Sequence, residues 1–291
     1  HGGNWLSGKV TIGGAKNSTV ALIPAAILAD SPVKLEMVPD ILDVHNLMLI
    51  LESMDVPSEF VHRAITIDPR HIVDSKLSGR AIASLRASYY FMGALLGRFG
   101  HATVNLPGGD SFGPRPIDQH IKAFQKLGAD VTENHGCIHL TTHDRGLHGA
   151  RIRLAMVSVG ATINSLLAAV KAHGTTVIEN AAKEPEIIDV VDFLNELGAR
   201  ITGEGTRRIV VRGVTSLHAE RPHRIIPDRI EAGTYLSMAA AIGNGVEIQD
   251  VIPKHLASFL DKLREMGLKL RVQKHEIYVP HVDRVKGVRI T

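Results

Sequence analysis

Cysteine is all but missing from this chain. Cys137 stands alone among 291 residues, so no internal disulfide can form, and a reducing compartment, the cytoplasm, fits best. Long apolar runs are missing too: no stretch approaches the roughly eighteen residues that a membrane span needs. The opening HGGNWLSGKVTIGG has no apolar core of the kind a secretory leader carries, so no leader is expected in it. Neither charge sign is in excess. The 33 Lys and Arg are interspersed with 30 Asp and Glu, giving a formal charge of +3 with histidine neutral, too mild by itself to argue for nucleic acid. No nicotinamide, flavin or P-loop fingerprint occurs. What is there, 44% hydrophobic and 22% charged residues, is ordinary globular composition at a length that favours two domains.

The chain repeats itself. The stretches LMLILESMDVPSEFVHRAITID, IKAFQKLGADVTENHGCIHLTT, VVDFLNELGARITGEGTRRIVVRG and LASFLDKLREMGLKLRVQKHEIYV each read as an amphipathic helix followed by two alternating strands. Their helix ends, Met54-Asp55, Leu127-Gly128, Leu197-Gly198 and Met266-Gly267, recur at intervals of about seventy residues. Glycine at three of the four suits a left-handed helix cap, with Asp55 the tolerated exception.

A second helix precedes each of these stretches. GAKNSTVALIPAAILADSPVKLEMVP, LRASYYFMGALLGRFGHATVNLPG, VGATINSLLAAVKAHGTTVIENAA and EAGTYLSMAAAIGNGVEIQDVIP each run from a small-residue start through an Ala- and Leu-rich helix into an apolar strand. Every unit is therefore strand-helix-strand-helix-strand-strand, an α/β repeat too long for a short-repeat solenoid. The helices with almost no charge are expected to be buried. VDRVKGVRIT runs into what reads as a further strand, where a fifth unit is expected to begin.

Helix starts are the first places to look for chemistry, because their free N–H groups and the macrodipole attract anions. Lys16 in GGAKNS stands where a cation is electrostatically disfavoured, which asks for an anion beside it. Gly13 and Gly14 are expected to let the backbone approach that anion, with Asn17 alongside. Arg86 in SLRASYY holds the corresponding place in the second unit, and its fork suits phosphate or carboxylate. In VSVGATINS, Ser158, Val159 and Gly160 form an uncharged version that either cradles phosphate or simply caps the helix. Asp228, Arg229 and Glu231 crowd the fourth helix start, where a buried ion pair is expected.

The loop LPGGDSFGPRPID combines glycine hinges, prolines, Asp110 and Arg115 just ahead of a helix starting near Asp118. Such a segment is either a turn or a lid that closes over a charged substrate and excludes water. His135, His139, His143 and Cys137 have the types of metal ligands, but they lie on a hairpin whose siblings carry Glu, Arg or Lys, so no metal is expected.

Taken together, LSGKVTIGGAKNS, LRASYYFMGALLGRFG, LPGGDSFGPRPIDQHI, VSVGATIN, IENAAKEPEIIDV and IPDRIEAGTY resemble the enolpyruvyl transferase family. The resemblance implies an inside-out α/β barrel of βαβαββ repeats in two domains with substrate between them. On this reading residues 17–226 form a complete three-repeat domain, while 1–16 and 227–291 belong to a second domain whose C-terminal part, with some of the active site, is missing. The implied reaction moves the enolpyruvyl group of phosphoenolpyruvate to the 3-hydroxyl of UDP-N-acetylglucosamine, a cytoplasmic step of peptidoglycan synthesis serving cell shape and division. It needs no metal or other cofactor and no membrane or nucleic-acid partner.

Residue by residue, Lys16 and Asn17 match contacts to phosphoenolpyruvate and the sugar, Arg86 a phosphate or nucleotide-sugar contact, and Arg115 the lid arginine. Arg115, Pro116, Ile117, Asp118 and Gln119, with Ser158, Val159 and Gly160, match uridine-nucleotide contacts. Asp110 takes the place where most family members carry the cysteine that donates a proton and is alkylated by fosfomycin. A sister activity on shikimate 3-phosphate, a non-catalytic nucleotide-sugar-binding paralogue and an RNA 3'-phosphate cyclase are the alternatives.

Overall fold

A computed structural model describes residues 4–72, 76–77, 89–105, 117–134, 136–143, 146–281 and 284–289. Its chain divides into a larger unit, Asn17–Ile225, and a smaller one formed by His1–Lys16 with Ile226–Thr291.

The larger unit contains three four-stranded sheets. The first comprises β2 (Val33–Glu36), β3 (Ser58–Val61), β4 (Ala64–Ile67) and β13 (His223–Arg224); the second β5 (Lys76–Leu77), β6 (His101–Asn105), β7 (Ala129–Asn134) and β8 (Cys137–Thr142). The third comprises β9 (Arg151–Arg153), β10 (Thr175–Glu179), β11 (Arg200–Thr202) and β12 (Arg208–Arg212). In the smaller unit β1 (Leu6–Thr11), β14 (Gly243–Gln249), β15 (Arg271–Val272) and β16 (Glu276–Val279) make one sheet. All four obey one rule: an opening strand lies parallel to the second, and a closing hairpin adds antiparallel to that second strand. This is the βαβαββ repeat, with an exchange. β1, at the chain's start, opens the sheet of β14, whereas β13 opens the sheet of β2.

The helix ends explain the seventy-residue rhythm. Helices α2 (Leu42–Ser53), α4 (Asp118–Lys126), α6 (Pro185–Glu196) and α8 (Ala257–Glu265) are followed by Asp55, Gly128, Gly198 and Gly267 at φ of 57°, 96°, 102° and 101°. The N–H of Val56, Ala199 and Leu268 then reaches back to Leu51, Leu194 and Leu263 O at 2.9, 2.9 and 3.1 Å. This reversal satisfies carbonyls that the helix leaves open and turns the chain into the hairpin. Asp55 adopts the left-handed geometry at the modest cost expected of a short polar side chain.

The low-charge helices α1 (Lys16–Ala26) and α5 (Val159–Ala169) bury nearly every residue, and α3 (Tyr90–Phe99) buries Tyr90 through Leu96. α3 and α5 pack so closely that a Cβ on Gly93 would lie 2.6 Å from Asn164 O and one on Gly97 2.6 Å from Leu167 O. The fourth such helix, α7 (Arg229–Ile242), departs from the expectation of burial: only Ala232, Leu236, Ala239 and Ala240 are inside, and Ile230, Met238 and Ile242 are exposed. With one sheet in its unit to pack against, α7 contributes a single stripe to the core built around Ile248, Ile277 and Val279.

Candidate functional site

α1 starts at the lysine that the sequence singled out, and the turn before it is tied down by the start of α7. Gly13 N donates to Glu231 Oε2 at 2.9 Å, Ala15 N to Ile226 O at 2.8 Å and Lys16 N to Asp228 Oδ2 at 3.0 Å. Asp228 also caps α7, its Oδ1 accepting from Ile230 N at 2.7 Å and Glu231 N at 3.1 Å. One carboxylate thus organises two helix starts. The N–H groups of Gly13, Ala15 and Lys16 already have acceptors within the protein, so these three donors fix the turn. One expectation is corrected here. Asp228 and Glu231 do not simply form a buried ion pair: their carboxylates accept backbone N–H groups. Lys16 and Asn17 are exposed, so any anion at this place meets their side chains.

In the larger unit the starts of α4 and α5 lie side by side, bringing Ile117, Asp118 and Gln119 together with Ser158, Val159 and Gly160. Gln119 Oε1 accepts from Met156 N at 3.2 Å, linking α4 to the segment that enters α5. Ser158 caps α5, its Oγ accepting from Ala161 N at 3.2 Å, while Thr162 Oγ1 donates to Ser158 O at 2.7 Å and accepts from Ala182 N at 3.1 Å. Below them Asn164 Oδ1 accepts from Gly93 N at 2.8 Å and its Nδ2 lies 3.0 Å from His120 Nδ1. Because the amide presents its donor there, His120 Nδ1 is the acceptor and the ring proton sits on Nε2. Tyr89 meets the His120 ring edge-on with centroids 5.1 Å apart. A Cβ on Gly160 would come within 2.8 Å of Tyr89 Oη and 3.0 Å of His120 Cε1. Gly160 and Gln119 are therefore inward parts of the mount. Ser158, Val159, Ile117 and Asp118 reach the surface, with Asp118 3.3 Å from Lys122 one turn on. Two adjacent helix N-termini combine their positive ends there, a setting that favours phosphate.

Arg86, Asp110, Arg115 and Pro116 lie outside the described residues, as does His135. Of the other metal-type side chains, His139 Nδ1 is 3.1 Å from Thr103 Oγ1 and His143 Nε2 is 2.9 Å from Asp130 Oδ2. Among the described residues no group of His, Cys, Asp and Glu could hold a metal ion, and no helix is long and apolar enough to cross a membrane.

One charged cluster escaped the sequence reading. His223, buried on β13, places Nδ1 2.8 Å from Glu196 Oε2 and Nε2 3.1 Å from Asp189 Oδ1, with Arg221 adding a 2.9 Å bond to Glu196. Burial pulls the His223 pKa down, but the hydrogen bonds and charges of Asp189 and Glu196 outweigh it, leaving the value above the usual histidine range. Asp189 on the apolar stripe of VVDFLNELG's helix was the visible signal, since an acid at a core position needs a partner.

Comparison with known proteins gives the chain its family. The sequence profile of the family described as EPSP synthase (3-phosphoshikimate 1-carboxyvinyltransferase) matches residues 1–291. UDP-N-acetylglucosamine 1-carboxyvinyltransferase 2 of Lactiplantibacillus plantarum is 63% identical over 290 residues, covering 100% of this chain and 68% of that protein. Its counterpart in Latilactobacillus sakei subsp. sakei is 60% identical over 289 residues, 99% of this chain and 69% of that one. Among solved structures, the enolpyruvyl transferase NikO from Streptomyces tendae superposes with a TM-score of 0.83 at 25% identity, over 97% of this chain and 67% of that chain.

Proposed function

The chain belongs to the EPSP synthase family of enolpyruvyl transferases, and from that premise we propose that it transfers the enolpyruvyl group of phosphoenolpyruvate to the 3-hydroxyl of UDP-N-acetylglucosamine, releasing phosphate. The observation that carries this reading is the 63% identity, across the whole chain, to a protein named for that transfer. The juxtaposed starts of α4 and α5 support it by offering a place for a nucleotide diphosphate.

In the reaction the sugar hydroxyl gives up its proton, which finally leaves with phosphate, as its oxygen bonds to C2 of phosphoenolpyruvate; the C2–C3 double bond opens and C3 takes a proton. The C2–O bond to phosphate then breaks and C3 gives up a proton, which leaves the enolpyruvyl ether. Charge gathers on phosphate and carboxylate throughout, and Lys16, Arg86 and Arg115 are the cations we assign to it. Asp110 is assigned as the acid at C3, a role a carboxyl can fill when its neutral form is favoured by a closed lid. Asn17 and Ile117, Asp118, Gln119, Ser158, Val159 and Gly160, with Pro116, are assigned to the nucleotide sugar. We assign residues 17–226 to one three-repeat domain. We place the reaction in the cytoplasm, at the committed step of cell-wall precursor synthesis on which cell shape and division depend.

The test is phosphate release by the full-length gene product. Release that requires phosphoenolpyruvate and UDP-N-acetylglucosamine together, and that falls at least about a hundredfold in Asp110→Ala, is the expected result. Release driven by shikimate 3-phosphate instead would transfer the chain to the sister activity. Nucleotide-sugar binding without any release would mark a non-catalytic paralogue.

A further inference from the structure

The outer face of the third sheet differs from those of its siblings. Ile152, Ile178, Ile201, Ile209 and Val211 point into the core, and the alternate positions turn outward. There β9 presents Arg151 and Arg153, β11 Arg200, and β12 Arg208 and Arg212, with Arg207 just ahead; all six are exposed. A single carboxylate on these strands answers them. Glu179 of β10 accepts from Arg151 Nε at 3.0 Å and from its Nη2 at 2.5 Å, and stands opposite both Arg153 and Arg208 in the ladder. Arg207 Nη1 donates to Asn180 Oδ1 at 2.9 Å. The guanidinium groups of Arg153, Arg200, Arg208 and Arg212 have no hydrogen-bond or ion-pair partner among the described residues.

The siblings act as an internal control. Lys9 meets Glu247 at 3.1 Å, Lys34 meets Glu36 at 3.2 Å, and Arg271 stacks on Tyr278 at 4.1 Å. On the third sheet Arg200 and Arg212 are directly opposed, a like-charge pair that costs stability. Protection of a sheet edge accounts for arginines on the outermost strands β9 and β11, but not for Arg208 and Arg212 on the inner strand β12. An open cavity of about 440 Å3 lies among Arg151, Arg153, Arg207 and Arg208.

We propose that this face docks an acidic segment of a partner polypeptide, whose Asp and Glu carboxylates the free guanidinium forks grip in paired bonds. Charge complementarity selects an acidic partner, and the composition of the face selects its kind. No aromatic residue lies on β9 to β12, so the stacking platform that single-stranded nucleic acid uses is lacking. The outward apolar residues, Val177 and Val210, are short and half-buried, unlike the Trp, Phe and Leu side chains of a membrane-surface anchor.

The experiment is fluorescence anisotropy of a labelled peptide of about ten residues, mostly Glu and Asp, with the full-length gene product at about 0.05 M and about 0.2 M salt. Binding that weakens with salt, and that falls about tenfold or more in the triple variant Arg153→Gln, Arg208→Gln, Arg212→Gln while phosphate release and melting temperature hold, supports the proposal. Should the triple variant not fold, Arg212→Gln alone serves: it relieves the repulsion with Arg200, so it must melt no lower than wild type and still bind the peptide less tightly. No peptide binding at low salt, unchanged binding by the variants, or equal or tighter binding of a single-stranded RNA or of anionic lipid vesicles overturns it.

Discussion

Asp228 accepts the backbone N–H of Lys16 at 3.0 Å with the same carboxylate that caps α7. The lysine assigned to substrate is thus aimed by a residue more than two hundred positions away. Asp228→Ala removes both functions: the cap alone is worth about 1 to 2 kcal/mol, and the loosened turn is expected to lower kcat/KM for phosphoenolpyruvate by about tenfold. Asp228→Asn keeps an oxygen acceptor and is expected to recover most of the stability. Urea melts and phosphate-release kinetics on the two variants decide this.

By the resemblance of its loop, Asp110 is assigned to the place where most of the family carries a thiol. A carboxylate is a poor partner for an epoxide, so fosfomycin is expected to leave the full-length enzyme active without covalent mass gain, whereas Asp110→Cys acquires time-dependent inactivation and the mass of the adduct. Intact-protein mass spectrometry after incubation reads both; an adduct on the wild-type loop would refute the expectation.

His223 links stability to pH. With Glu196 on one ring nitrogen and Asp189 on the other, the imidazolium form supplies a donor to each. Its folded pKa lies above the unfolded value of 6.5, so its contribution is complete below that value and fades as pH rises through the raised one. Asp192 is pushed up by burial and next by the charge of Asp189. The melting temperature of wild type is therefore expected to exceed that of His223→Gln most at about pH 6 and least at about pH 9. A gap that widens with pH would contradict the assignment.

Gly93 is a packing requirement. Its missing Cβ would meet the main chain of α5 at Asn164 O, 2.6 Å away, and backbone does not move aside as a flexible side chain does. Gly93→Ala is expected to destabilise by about 1 to 3 kcal/mol in a denaturant melt, and to disturb the His120–Asn164 contact beneath the residues assigned to the nucleotide sugar. Gly136→Ala, with nothing within 4 Å of its added Cβ, makes a useful contrast: its cost comes from the left-handed backbone alone.

The repeat was legible because its punctuation is chemical. Gly128, Gly198 and Gly267 announce left-handed caps, and Asp55 could be aligned with them by spacing. Lys16, Asp118 and Ser158 were legible as helix starts for the same reason, since capping and turn residues act locally. What stayed hidden is non-local. Nothing in LSGKVT says that its ladder partner is the strand GNGVEIQ, and nothing in PDRIE says that its acids accept from GGAK. Asp189, an acid on an apolar stripe, asks for a partner, but His223 and Glu196 look like solvated polar residues until the fold brings β13 against α6. The buried state of α1, α3 and α5 followed from composition, but that of α7 did not, because burial depends on how many neighbours a helix has, which its own residues do not encode.

The exchanged opening strands set an order on synthesis. A ribosome delivers Leu6–Thr11 more than two hundred residues before Gly243–Gln249, the segment it pairs with, while β2 waits almost as long for His223–Arg224. Until then β2, already paired with β4, is a ladder with an open side and β1 has no ladder partner at all, and closing each requires ends far apart along the chain to meet. Nascent chains halted before Arg224 therefore hold β1 unpaired and β2 open on one side, the stage at which a chaperone has most to shield.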